Sequence, residues 1–103
     1  MKIEKWNEER DGMLTELSMR RKLKELGYET TRYVYSPGTN FSPHTHGVDK
    51  IDAVLAGRFR LTMNGESVVL EAGDAIYVPR GVEHSAEVIG DDPVISLDAI
   101  RRM

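Results

Sequence analysis

The chain has 103 residues, of which 40% are hydrophobic and 30% are charged, a balance typical of one folded domain rather than of a disordered chain. Its formal net charge of −3 gives no broad basic surface, so we expect no nucleic-acid partner. The absence of cysteine excludes disulfides, thiolate metal ligands and cysteine nucleophiles. No apolar run has the length of a signal peptide or a membrane helix, so we predict a cytoplasmic protein with no membrane partner.

A helix is predicted near the N-terminus. Met19, Leu23 and Leu26 follow the i, i+4, i+7 spacing of one apolar helix face, which predicts a helix over residues 13–26. Residues 1–12 before it are mostly polar, and we expect them either to dock on the rest of the domain or to fray.

From Tyr28 onward the pattern changes to short runs rich in β-branched and aromatic residues, separated by turn residues. These runs predict strands at 28–36, 42–46, 50–56, 58–63, 67–71, 75–78, 84–89 and 94–100. Asn64-Gly65 between two of them predicts a tight type I′ hairpin. We therefore expect an all-β sandwich or small barrel with one α-helix packed on its outside.

The three histidines, His44, His46 and His84, are the main candidates for chemistry. His44 and His46 are two residues apart in a predicted strand, so their side chains are expected on one face. Neutral imidazole is a common ligand of transition metals, but a histidine pair is also common on protein surfaces. The pair alone leaves a metal site and a surface pair both open.

The residues around these histidines resemble the two motifs of the cupin superfamily, Gly-x5-His-x-His-x3-4-Glu-x6-Gly and Gly-x5-Pro-x-Gly-x2-His-x3-Asn. The first motif is matched by Gly38, His44, His46 and Gly57. The second is matched by Gly73, Pro79, Gly81 and His84. The resemblance covers residues 38–88, about half of the chain.

This resemblance implies a jelly-roll barrel, also called a double-stranded β-helix, over residues 28–103, with the arm and helix of residues 1–27 packed on it. It implies that His44, His46 and His84 bind a divalent transition metal such as Zn, Fe, Mn or Ni. Single-domain members of the family often dimerise through edge strands, so we predict a homodimer.

Two positions depart from the family pattern: Lys50 stands where the motif has its glutamate ligand, and Val88 where it has asparagine. Asp52 shares the strand face of Lys50, so we expect Lys50 to turn outward toward Asp52 beside an intact three-histidine site. Asp49 is a second possible partner. Alternatively, a neutral Lys50 fills the fourth position, or Lys50 reaches an anion bound to the metal. In a further alternative the site lacks metal and Lys50 holds an anionic small molecule.

Two functional classes follow from the resemblance. The first is a metal-dependent enzyme of dioxygenase, isomerase or decarboxylase type acting on a small organic molecule, with Lys50 and Asp52 as catalytic candidates. Its ligand set, three histidines without glutamate, is similar to that of thiol dioxygenases. The second is a protein that binds or senses a small molecule without turnover. Phe41 and Tyr77, together with Lys50, are candidates for the pocket wall, and Asp98 faces either solvent or the cavity.

Overall fold

The structure, a computed structural model, describes residues 1–101. Its elements in chain order are β1 (Ile3–Lys5), α1 (Glu8–Asp11), α2 (Glu16–Glu25), β2 (Tyr28–Tyr35), β3 (Asn40–His44), β4 (Lys50–Ala56), β5 (Arg58–Met63), β6 (Glu66–Leu70), β7 (Asp74–Val78), β8 (His84–Ile89) and β9 (Val94–Arg101). Within the described range, no helix has both the length and the apolar character needed to cross a membrane.

The strands form two sheets, one of five strands in the order β1-β7-β4-β9-β2 and one of four in the order β3-β8-β5-β6. Neighbouring strands run antiparallel in both sheets. The predicted all-β fold is therefore confirmed. The hairpin at Asn64-Gly65 is also confirmed, because both residues have positive φ, 54° and 77°, as a type I′ turn requires.

The N-terminal segment differs from the prediction in detail. The long helix begins only after Thr15, whose side chain accepts from Ser18 N in a capping box that ends the preceding loop. The strand β1 and the short helix α1 were not predicted, because three or four residues are too few to show a period. The arm docks rather than frays, since β1 pairs with β7 and Trp6 N donates to Gly73 O at 2.9 Å.

Two apolar cores lie on opposite faces of the five-stranded sheet. The first fills the space between the sheets and contains Val54, Phe59, Leu61, Met63, Leu70, Ile76, Val78, Val88 and Val94. The second lies between the outer face of the five-stranded sheet and α2, and contains Met19, Leu23, Tyr28, Ala53, Leu97 and Ala99. Successive residues of β4 and β9 thus alternate between the two cores, which decides which side chains can meet the histidines.

Gly57 and Gly38 provide a matched test of close packing at turns. Both have positive φ, but a Cβ on Gly57 would overlap the carbonyl oxygen of Pro93, whereas one on Gly38 would meet nothing within 4 Å. We expect Gly38→Ala to lower the free energy of unfolding by about 1–2 kcal/mol through its left-handed backbone. Gly57→Ala should cost about 1–3 kcal/mol more, because packed backbone must move. Urea denaturation measures the difference, and equal losses would contradict this account.

Candidate metal centre

The three histidines meet at one end of the space between the sheets. His44 ends β3, His84 begins β8, and the two are register partners. The ring centroids are 4.3 Å apart for His44 and His84, 4.9 Å for His44 and His46, and 5.1 Å for His46 and His84. One ring nitrogen from each lies within 4.8 Å of the others.

His46 reaches this cluster by a route different from the predicted one. The strand β3 ends at His44, so His46 belongs to the loop before β4 and strand alternation does not place it. A shift of register between Phe41 and His44 and the presence of Pro43 end the regular pairing early. The carbonyl of His46 is held by Gly81 N at 2.9 Å, which ties this loop to the turn that precedes His84.

Hydrogen bonds orient the other two rings. The Nδ1 of His44 lies 2.7 Å from the carbonyl oxygen of Ser42, and the Nδ1 of His84 lies 3.0 Å from that of Val82. A carbonyl can only accept, so each Nδ1 carries a proton, and in the neutral form of the ring Nε2 then offers its lone pair. Metal-binding histidines are commonly fixed in this way through the nitrogen that does not touch the metal.

The Nε2 atom of His46 is buried and has no hydrogen-bond partner within residues 1–101. A buried nitrogen without a partner is costly unless something absent from the protein chain satisfies it. Burial lowers the pKa of His46 below its ordinary value, and Lys50, His84 and His44 add to the effect. Because only neutral imidazole binds a metal, these three side chains fit a divalent transition metal.

A charged group faces the histidines from the other sheet. The Nζ of Lys50 lies 2.8 Å from Asp98 Oδ1 and 3.4 Å from Asp52 Oδ1. Asp52 and Asp98 are register partners on the neighbouring strands β4 and β9. We call Lys50, Asp52 and Asp98 the charged triad.

Lys50 contacts Asp52 as expected, but it does not turn outward. Its side chain is only 7% exposed and lines the same cavity as the histidines. Lys50, Asp52 and Val54 occupy every second position of β4, so their side chains lie on the same face of the strand. Val54 packs into the core between the sheets, and Lys50 and Asp52 therefore also point inward. Asp49 is not part of the triad, and its carboxylate accepts from Arg80 N at 2.8 Å.

Burial opposes the charge on Lys50, but Asp52 and Asp98 more than offset it, and the pKa of Lys50 is raised above its ordinary value. The lysine therefore keeps its proton at neutral pH, which argues against a neutral Lys50 as a fourth metal ligand. Burial also raises the pKa of Asp52, although Lys50 acts in the opposite direction.

The cavity between the histidines and the charged triad has a volume of about 330 Å³ and a largely aromatic wall. Phe41 lines it, together with Tyr33, Tyr35 and Phe59. The ring centroid of Tyr35 lies 5.0 Å from that of Phe41 and 5.5 Å from that of Phe59. Burial, followed by the charges of Asp98 and Asp52, raises the pKa of Tyr35 to about 12.

Tyr77 was predicted to form part of the pocket wall, but it does not line this cavity. Its neighbours Ile76 and Val78 point into the core between the sheets, so Tyr77 points to the outer face of the five-stranded sheet. Asp98, for which both directions were open, faces the cavity. The sequence contained no local signal for the role of Asp98 or Tyr35, because both depend on the pairing of distant strands.

The family model described as Cupin domain matches residues 31–100, which include the three histidines and the charged triad. The chain belongs to the cupin family. An uncharacterized protein of Streptomyces coelicolor is 31% identical to this cupin over 70 residues, which is 68% of this chain and 67% of the relative. The chain also matches three larger curated proteins, of which it covers only 10%, 18% and 14%.

Solved cupin-like structures share the fold of this cupin. A structure from Thermotoga maritima, described as a predicted oxalate decarboxylase, is 26% identical with a TM-score of 0.67, covering 81% of this chain and 74% of the other. KdgF from Halomonas sp. is 26% identical with a TM-score of 0.64, covering 75% and 72%. The expected jelly-roll barrel is thus supported by the sheets of this cupin and by its relatives.

Proposed function

We propose that this cupin binds a divalent transition metal, Zn, Fe, Mn or Ni, on His44, His46 and His84, and that the adjoining cavity binds or converts a small organic molecule. The main support is the buried Nε2 of His46, which has no hydrogen-bond partner in the part of the chain that the structure describes, beside two rings whose Nδ1 atoms are already engaged. Three nitrogen ligands leave coordination positions open, and a bound metal of this kind supplies positive charge that polarises an oxygen atom of a ligand.

The charged triad would complement the metal in the catalytic version of this function. Lys50 stays protonated and makes ion pairs with two carboxylates, so it positions these groups rather than acting as a base. The side chain of Asp98 is 25% exposed and that of Asp52 is 11% exposed. Asp98 is therefore the carboxylate that a molecule in the cavity would reach more readily, and the better candidate to accept a proton.

Dioxygenase, isomerase and decarboxylase chemistry all remain within this proposal. The similarity to a structure described as a predicted oxalate decarboxylase supports the third type. The metal-free alternative, in which Lys50 holds an anionic ligand, has less support. Two carboxylates already lie within 3.4 Å of the Lys50 ammonium. Their negative charges offset its positive charge, so a further anion would be attracted only weakly.

Metal analysis of the protein purified without a histidine tag tests the proposal. We expect about one equivalent of Zn, Fe, Mn or Ni per chain after reloading, as three histidines predict. Less than about a tenth of an equivalent would contradict it. Lys50→Glu restores the family's carboxylate and should bind metal more tightly than Lys50→Gln, which has the same shape without the negative charge. Equal affinity of the two variants would place position 50 beyond the reach of the metal.

We also propose that the protein is a homodimer that pairs along β2. This strand lies at one edge of the five-stranded sheet, and its Tyr33 and Val34 are 43% and 54% exposed. An exposed edge of this kind can pair with a second chain. The cytoplasmic location and the boundary after residue 27 stay predictions.

Light scattering at micromolar concentration should therefore give about twice the chain mass of 11.6 kDa. Val34→Lys should shift the mass toward one chain, because it places a charge on the pairing edge. Val69→Lys on β6, where Val69 is 38% exposed, should leave the mass unchanged. A wild-type mass near 11.6 kDa would contradict the dimer.

A further inference from the structure

A second cavity lies on the opposite side of the five-stranded sheet from the histidines. It has a volume of about 400 Å³, is open to solvent on one side, and is bounded by the outer face of the sheet, the helix α2 and the N-terminal arm. This volume falls within the range of known ligand pockets. Most of its wall is apolar or aromatic, including Trp6, Leu23, Leu26, Tyr28, Ile51 and Tyr77. The proposed metal function does not use this cavity.

Three cationic side chains lie against the aromatic rings of this cavity. The Nζ of Lys2 is 5.8 Å from the ring centroid of Tyr77, and the Cζ of Arg101 is 5.7 Å from that of Tyr28. The third cation, Lys22, lies 5.3 Å from the ring centroid of Trp6.

These cations differ in how their charge is balanced. Lys22 makes ion pairs of 2.9 Å with both Glu4 and Asp11, so its charge is compensated. Neither Lys2 nor Arg101 makes an ion pair with a carboxylate within residues 1–101. The wall of the cavity therefore carries two positive charges that make no ion pair with the described part of the chain, beside a large apolar surface.

Tyr77 contacts Lys2 and lines the same cavity as Arg101. Lys2 lies over its ring, and the backbone carbonyl of Lys2 accepts from Tyr77 N at 3.0 Å. Burial and the nearby Asp49 raise the pKa of Tyr77, while Arg101 acts in the opposite direction. Asp49 is not among the residues that line the cavity, and its carboxylate accepts from Arg80 N. Its backbone carbonyl accepts from Arg101 N at 2.8 Å, so the negative charge of Asp49 lies near this end of the cavity and offsets part of the positive charge.

We propose that this second cavity binds a small amphipathic carboxylate, with its apolar body under α2 and its carboxylate between Lys2 and Arg101. A small polar anion would leave the apolar wall uncovered, and a neutral apolar molecule would leave both cations unpaired. A free amphiphile fits better than a membrane surface, because the apolar side chains line a recess beneath the helix rather than a protruding face. The site is independent of the histidine cluster on the other side of the sheet.

Trp6 makes the test direct, because it is the single tryptophan of the chain and lines the cavity. The full-length protein is titrated with sodium decanoate below its critical micelle concentration while the tryptophan emission is recorded. We expect a saturable change with one decanoate per chain. Acetate should produce no change, and decanol should bind at least about tenfold more weakly because it lacks the charge.

The double variant Lys2→Gln/Arg101→Gln should raise the Kd for decanoate about tenfold, because two charged contacts are lost. The matched variant Arg21→Gln/Lys24→Gln changes two exposed basic residues of α2 outside the cavity and should leave the Kd unchanged. His44→Ala/His84→Ala should also leave it unchanged, which separates this site from the proposed metal centre.

Several outcomes would overturn the proposal. They are equal binding of decanol and decanoate, an emission change that does not saturate, and equal Kd values in the two charge variants. A response to phospholipid vesicles without a response to monomeric decanoate would indicate a membrane surface instead. A change of molecular mass in the Lys2→Gln/Arg101→Gln variant with unaltered decanoate binding would assign this face to a contact between copies.

Discussion

Replacing His84 with alanine is expected to reduce the bound metal from about one equivalent per chain to less than about a tenth, because two histidines alone seldom hold a divalent ion. His84 is 3% exposed, and its ring lies beside both other histidines. Its Nδ1 is already engaged by the carbonyl of Val82, which leaves Nε2 as its ligand atom. Elemental analysis of tag-free protein after reloading measures the loss.

Ser85→Ala is the matched control for this experiment. Ser85 follows His84 in β8 and pairs with Thr62 of β5, so its side chain points to the opposite face of the strand. The Ser85→Ala protein should therefore bind as much metal as the wild type. Circular dichroism before loading checks that both variants are folded. A folded His84→Ala protein that keeps about one equivalent of metal would contradict the three-histidine site.

Removing the lysine of the charged triad should have the second large effect, this time on stability. In Lys50→Met, Asp52 and Asp98 remain as register partners inside the cavity with no cation between them. Breaking a buried ion pair by removing one partner costs about 3–5 kcal/mol. We expect a loss of this size in the free energy of unfolding, measured by urea denaturation at about pH 8.

The loss should depend on pH with a definite sign. Burial already raises the pKa of Asp52, and removal of the Lys50 charge raises it further. A carboxyl group whose folded pKa exceeds its unfolded pKa contributes stability below the unfolded value and loses it as the pH rises through the folded value. The stability deficit of Lys50→Met should therefore be smaller at about pH 5 than at about pH 8.

Two further variants isolate the cause of that deficit. Lys50→Met/Asp52→Asn/Asp98→Asn removes both uncompensated charges and should recover most of the lost stability, because neutral groups replace the whole network. Lys24→Met, at an exposed lysine of α2, should change stability by less than about 0.5 kcal/mol. A Lys50→Met deficit that is independent of pH would show that lost packing, and not charge, is its source.

The strands were largely predictable because alternation and turn residues are local signals. The ranges 50–56, 58–63 and 84–89 were predicted with the bounds that the structure has. The helix was predicted too long, because the apolar spacing does not reveal that the Thr15 cap sets its start. The strand β1 has only three residues and owes its existence to pairing with β7, which lies some seventy positions later in the chain.

The sequence predicted the histidines of the candidate site, but it did not predict which side chains of the five-stranded sheet face them. The motif residues identified all three histidines, but the alternation argument for His46 was wrong because β3 ends at His44. A cross-strand contact such as that between Lys50 and Asp98 depends on which strands become neighbours. The same limitation explains Tyr77, whose direction depends on which face of β7 is covered by the second sheet.

The sequence by itself thus determined the strand periods, the hairpin at Asn64-Gly65 and the three histidines, because each rests on neighbouring residues or on motif spacing. The tertiary structure alone decided that the charged triad faces the histidines, since the pairing of β4 with β9 joins Asp52 to Asp98 across 46 positions of the chain. It also decided that the sheet has a cavity on each side. Packing, unlike periodicity, is a property of segments that are distant in the chain.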